Sequence, residues 1–182
     1  ATGTIEAENS IEVSTRLMGH VREVLAREGQ RVQAGEVLVR IDDTDMQARK
    51  RQAEAGIAEA QAVLDNAHTN LERFQRLFAE NSVSRAQLDD VRTGKQRAEA
   101  GLKQAQAALA EVDVQLSYLS IKAPSSGTVT RRLVDPGDMA NPGAPLVMLE
   151  ENGVMKVRAG LAERDVDLVD VGAEVTVQVT SL

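Results

Sequence analysis

The chain has 182 residues, 42% of them hydrophobic and 27% charged, and a net charge of −7. Aromatic residues make up 2%, and tryptophan and cysteine are absent. That balance excludes a basic nucleic-acid surface with stacking rings, a disulfide framework and, because no apolar run is long enough, a membrane-spanning helix.

Residues 4–16 alternate in part, Ile11 and Val13 against Glu12 and Ser14, as half-buried strands do. Gly19 to Ile41 then reads GHVREVLAREGQRVQAGEVLVRI, and Gly127 to Leu149 reads GTVTRRLVDPGDMANPGAPLVML. Glycines fall at 19, 29 and 35 in the first copy and at 127, 137 and 143 in the second, a constant offset of 108. Apolar positions keep that register: Val21 with Val129, Leu25 with Leu133, Leu38 with Leu146, Val39 with Val147, Ile41 with Leu149. Each copy is too small to bury a core alone, so the two are expected to pair into one β module.

Between the copies the apolar positions alternate steps of four and three. Ala53, Ile57, Ala60, Leu64, Ala67, Leu71, Phe74 and Phe78 form one seam. Leu88, Val91, Ala98, Leu102, Ala105, Leu109, Val112, Leu116 and Leu119 form another, with Lys95 the polar intruder. These are heptad seams. Helices are expected at about 43–79 and 85–118, joined by a tip at 80–84 that is short enough to force them antiparallel. Asp42 and Asp43 can cap the first helix, and Ser84 with Gln87 makes a capping box for the second. Arms of this length project roughly 50–55 Å.

After Glu150 a strand is expected at Val154–Ala159, a short helix at Glu163–Val169 and a strand at Glu174–Val179. Two strands and a helical turn close no barrel, so 151–182 reads as the start of a further β domain. The fold class is thus α+β: 1–41 and 120–150 form a split β module, 42–119 an inserted helical hairpin, and 151–182 a partial β barrel.

Catalytic chemistry finds little support, and no enzyme, cofactor or metal is expected. His20 and His68 have no cysteine or acid at ligand spacing, and neither sits in a nucleophile elbow. Capping accounts for Asp42, Asp43 and Asp45. Met18, Met46, Met139, Met148 and Met155 are scattered, with Met139 and Met148 at apolar β positions, and form no soft-metal tract.

The order of β half, hairpin, β half and β domain resembles the periplasmic adaptors, or membrane fusion proteins, of bacterial efflux systems. Tyr118-Leu119-Ser120-Ile121-Lys122-Ala123-Pro124, running on to Gly127-Thr128-Val129, looks like that family's return strand. The resemblance implies a lipoyl-like (biotinyl-like) module and a place in the periplasm, attached to or associated with the inner membrane. It implies a bridge from an inner-membrane transporter, of the resistance-nodulation-division (RND) class rather than ATP-driven, to a TolC-type outer-membrane channel. Self-association into a ring, as a hexamer or a trimer of dimers, is implied as well. Adaptors that dock such channels carry Arg, Leu and Ser spaced by four and seven near the tip; Arg73, Leu77 and Ser84 match that spacing.

Each of the three also has a plainer reading. Arg73 could be a solvated helix residue, although no acid lies three or four positions away, whereas Arg76 has Glu72 and Glu80 for local pairing. Leu77 lies beside the seam residue Phe78 and could widen the core stripe. Ser84 is accounted for by its cap. Two rivals remain. A lipoyl or biotin carrier would need a lysine tripeptide at the turn where Ile41 instead runs into Asp42; a cytosolic coiled-coil scaffold or chaperone would share the hairpin.

Overall fold

The computed structural model describes residues 3–7, 9–151, 155–160, 170–172 and 174–178. The strands are β1 (Gly3–Ala7), β2 (Ser10–Ser14), β3 (Gly19–Val24), β4 (Arg31–Val32), β5 (Val37–Ile41), β6 (Ser120–Lys122), β7 (Gly127–Arg132), β8 (Met139–Ala140), β9 (Pro145–Glu151) and β10 (Met155–Ala159). Helices α1 (Thr44–Ala79) and α2 (Arg85–Ser117) stand between β5 and β6.

The repeat folds as two interlocked halves. One sheet runs β2-β9-β7-β4 and the other β6-β5-β3-β8, so each takes its short outer strand from the opposite half. Hydrogen bonds repeat the exchange with the same offset of 108. Gly29 N–H donates to the Val129 carbonyl at 2.8 Å, and Gly137 N–H to the Val21 carbonyl at 2.8 Å. Gly35 N–H donates to the Ala123 carbonyl, and Gly143 N–H to that of Thr15. Gly29 and Gly137 sit at φ of 79° and 97°, in the region that side chains with a Cβ resist. Gly19 and Gly127 serve close approach instead. A Cβ at Gly19 would lie 2.6 Å from Cγ2 of Ile41, and one at Gly127 would run into the Glu150 carbonyl oxygen.

The core lies between the sheets, where Val39, Val129, Val147 and Leu149 have no exposed surface. Burying each such side chain stabilises by about 1.5–3 kcal/mol. Four of the five expected pairs are buried; Leu25 and Leu133 depart together, each 43% exposed. Met139 is likewise exposed rather than in an apolar position. The repeat also reaches further upstream than the glycines mark, because β2 and β6 are equivalent edge strands. Val13 and Ile121 are both buried at the same offset, as are Thr15 and Ala123. Thr15 is satisfied there: its hydroxyl donates to the Leu17 carbonyl and accepts from Leu17 N–H.

The helices are about 50–54 Å long at 1.5 Å per residue. The α2 seam is half-buried or buried from Leu88 to Leu119, as is the α1 seam from Ala53 to Phe74. The last α1 position differs from expectation: Leu77 is half-buried, while Phe78 is 40% exposed. Lys95 is half-buried on the seam and turns its ammonium to Glu99, 3.0 Å away on its own helix.

β1 and β10 form an antiparallel two-stranded sheet, with Ile5 opposite Val157. The expected helix at Glu163–Val169 lies outside the described residues. Residues 174–178 are not strand, correcting the expected alternating strand there, of which Val179 lies outside the described residues. Alternation alone makes no strand without a neighbour to accept its backbone hydrogen bonds, and none of the described residues pairs with 174–178.

Candidate functional site

The hairpin offers three places where function can reside: root, shaft and tip. At the root, Asp42 and Asp43 divide their work. Asp42 Oδ1 accepts from Thr44 N–H at 3.0 Å and from the Thr44 hydroxyl at 2.6 Å, which starts α1. The hydroxyl bond, then the backbone bond, and the nearby Arg22 and His20 hold the Asp42 carboxyl below its ordinary pKa. Asp43 makes no cap bond; it takes the Arg22 guanidinium of β3 at 3.1 Å and the Gln47 amide at 3.0 Å. Across the root, Arg16 stacks on Tyr118, the residue that caps the C-terminal end of α2, 5.0 Å from its ring centre. Met46 and Leu116 pack against the β core beneath. The hairpin therefore leaves the β module through two polar clasps over an apolar seat. The clasps escaped the sequence reading because the spacings Arg22–Asp43 and Arg16–Tyr118 belong to no local pattern.

Lys50 of α1 and Asp113 of α2 pair at 2.8 Å and tie the arms together above the root. Among the described residues no group of three His, Cys, Asp or Glu could hold a metal ion. His20 lies exposed in β3, its ring 3.4 Å from the Gly137 carbonyl oxygen, and His68 lies beside Glu72. Lys122 is opposite Val37 inside the β5–β6 ladder, not at a turn.

The tip is built from two complementary helix ends. Ser82 N–H donates to the Leu77 carbonyl at 2.8 Å and Asn81 N–H to that of Phe78 at 3.0 Å, with Asn81 at φ 56°. This double closure, with asparagine in the left-handed position, is the Schellman stop. Ser84 then starts α2 with both bonds of the capping box: its Oγ accepts from Gln87 N–H, and Gln87 Oε1 accepts from Ser84 N–H. Val83 alone separates the two motifs, so the backbone of the tip is held from either side.

On that tip Arg73 and Ser84 are exposed and Leu77 is half-buried. Arg73 makes no ion pair among the described residues. Arg76 also lacks the expected partners: Glu72 goes to His68 instead, and Glu80 pairs with neither.

Residues 49–119 match the family model of the α-helical hairpin domain of RND membrane fusion proteins. The chain is 33% identical over 171 residues to the multidrug resistance protein MdtA of Proteus mirabilis (strain HI4320), covering 93% of this chain and 42% of that protein. The hairpin of this chain, over residues 49–119, is of the RND membrane fusion protein type. The chain spans about two-fifths of the length of the curated relatives it matches. The crystal structure of MacA from Actinobacillus actinomycetemcomitans shares the fold, with a TM-score of 0.70 at 24% identity, over 91% of this chain and 56% of that one. A MacA-MexA chimera carrying the Pseudomonas aeruginosa MexA α-hairpin is similar with a TM-score of 0.63 at 26% identity, over 91% and 56%. In this chain the hairpin is inserted between the two interlocked halves of the β module.

Proposed function

We propose that the chain is the hairpin-bearing part of a periplasmic adaptor in a tripartite efflux pump. The adaptor is attached to the inner membrane and bridges an RND-type transporter to a TolC-type outer-membrane channel. Arg73, Leu77 and Ser84 are the docking residues. The exposure of Arg73 and Ser84, with Leu77 half-buried beside them, on a tip fixed by the Schellman stop and the capping box is the observation that carries this reading. A rigid tip presents a guanidinium without a local partner and a leucine edge at little entropic cost. Several copies form a ring, a hexamer or a trimer of dimers, so that the hairpins stand around one conduit. The work is mechanical coupling rather than catalysis: the root clasps between Arg22 and Asp43 and between Arg16 and Tyr118 are where the stalk tilts as the transporter cycles.

The test uses cells lacking the native adaptor, restored with the whole gene as wild type or Arg73→Asp. Drug accumulation that returns with Arg73→Asp at normal protein level, despite restored wild-type efflux, supports docking through Arg73. Full efflux by Arg73→Asp contradicts it.

A further inference from the structure

The methionines are scattered along the chain, and the fold treats them differently. Met46 packs against the β core, and Met148 Sδ takes the Arg131 guanidinium at 3.1 Å. Met18 and Met139 instead leave their side chains in solvent, 67% and 47% exposed.

Both stand beside His20. In the β3–β8 pair His20 lies directly opposite Met139, and Gly19 opposite Ala140. The His20 carbonyl accepts from Asp42 N–H at 2.8 Å, on the side away from β8, whereas Val21 N–H turns to the Asp138 carbonyl. His20 and Met139 are therefore a pair without hydrogen bonds between them, the kind whose side chains approach most closely. Directly opposite residues of this kind hold their Cβ atoms about 4.5–5.5 Å apart. Gly19 and Ala140 mark the inward side. A Cβ at Gly19 would lie 2.6 Å from Cγ2 of Ile41, and Ala140 is buried. Alternation then puts Met18, His20 and Met139 together on the outer face, Met18 about 6.5 Å from His20 along the strand.

The imidazole is already set for a ligand. Its Nδ1 lies 3.4 Å from the Gly137 carbonyl oxygen. A carbonyl oxygen only accepts, so Nδ1 carries the proton and Nε2 keeps its lone pair. Histidines that hold metals are oriented in this way, by giving the other ring N–H to a carbonyl or carboxylate. The Asp42 carboxylate, whose backbone is bonded to that of His20, is taken by the Thr44 hydroxyl and N–H. Two thioethers and one imidazole are the donors on offer. Thioethers select Cu(I) and imidazole suits copper as well, whereas calcium and magnesium require oxygen ligands. The three rotatable bonds of methionine let both sulfurs turn toward Nε2.

We propose that Met18, His20 and Met139 form a three-coordinate site for Cu(I), for which Ag(I) is the redox-inert stand-in. Met18 and His20 come from the first β half and Met139 from the second, so the ion bridges the interlocked halves. It lies beside the hairpin root, because Arg22, two residues beyond His20, pairs with Asp43. The site stands apart from channel docking, since none of its residues belongs to the hairpin.

The test titrates Ag(I) into this chain carrying methyl-labelled methionine and reads the methyl NMR spectrum. One equivalent is expected to shift the Met18 and Met139 methyls and the His20 ring signals, leaving Met46 and Met148 unmoved. Competition for Cu(I) with a coloured chelator then gives the affinity. Met18→Leu and Met139→Leu conserve size on an exposed face and keep the fold. Each of them, and His20→Gln, is expected to weaken binding by at least about tenfold, the lower range for loss of a merely outer partner. Zn(II), which favours four ligands drawn from thiolate, imidazole and carboxylate, is the control and is expected to move neither methyl. Four results would overturn the proposal: no saturable shift at Met18 and Met139, shifts shared by all methionines, an equal response to Zn(II), or unchanged Cu(I) affinity in the variants.

Discussion

Arg22 of β3 reaches Asp43 at the mouth of α1 at 3.1 Å, so one guanidinium ties the first β half to the hairpin that follows it. The pair is exposed, 64% and 31% at the two side chains, and such pairs contribute about 0–1 kcal/mol. Its effect is on direction rather than stability. Arg22→Ala is expected to leave the melting temperature within a degree or two, on the order expected for so small a change. The distribution of angles between hairpin and β module, read by paired spin labels on the two parts, should broaden. An unchanged distribution would show that Met46 and Leu116 seat the hairpin by themselves.

The seam of the shaft responds differently. Leu102 and Leu109 are half-buried between α1 and α2, and a carboxylate there loses solvation without a partner. Leu102→Asp is expected to cost about 1–3 kcal/mol and to fray the hairpin while β-module signals in an NMR spectrum persist. Full helicity by circular dichroism would count against the seam.

Glycines separate the two kinds of requirement. Gly29→Ala and Gly137→Ala force a Cβ into positive φ and should each cost about 1–2 kcal/mol, with similar values because the positions are equivalent. Gly94→Ala, helical and with open space around a Cβ, should stabilise by about 1 kcal/mol. Denaturant melts of the three variants make the comparison.

At the tip, Asn81→Gly should be neutral and Asn81→Val should cost about 1–2 kcal/mol, since only the second resists the left-handed conformation. Ser84→Ala should cost about 1 kcal/mol through the lost cap, whereas Ser84→Asp keeps a cap acceptor. Efflux lost in both Ser84 variants at normal stability would assign the hydroxyl a contact of its own.

Acid should weaken the start of α1 at the root. The Asp42 carboxyl is held below its ordinary pKa by the Thr44 hydroxyl and backbone, so its contribution is present above the ordinary aspartate range. It is lost as pH falls through the depressed value, below about pH 4. Amide exchange at the start of α1 should rise there, and Asp42→Asn should remove that dependence.

The hairpin and the paired β halves were legible because both rest on periodicity: heptad steps on the arms and glycines at a fixed offset. The Ser84 box was legible for the same local reason. What escaped depends on distance in the chain or on neighbours. β2 and β6 lack a glycine to mark their equivalence. Arg22–Asp43 joins separate elements, and Leu77 takes the inner place of Phe78 at the end of the arm. Arg76, given two acids at helical spacing, takes neither, since Glu72 turns to His68.

The most direct test of the account places a photoreactive residue at Leu77 or, as a control, at Gln61 on the polar flank of the shaft, in cells that depend on this adaptor. Crosslinking to the outer-membrane channel from position 77 and not from 61 is the predicted result. Efflux-competent protein that reaches the channel from 61, or from neither position, would contradict docking through the tip.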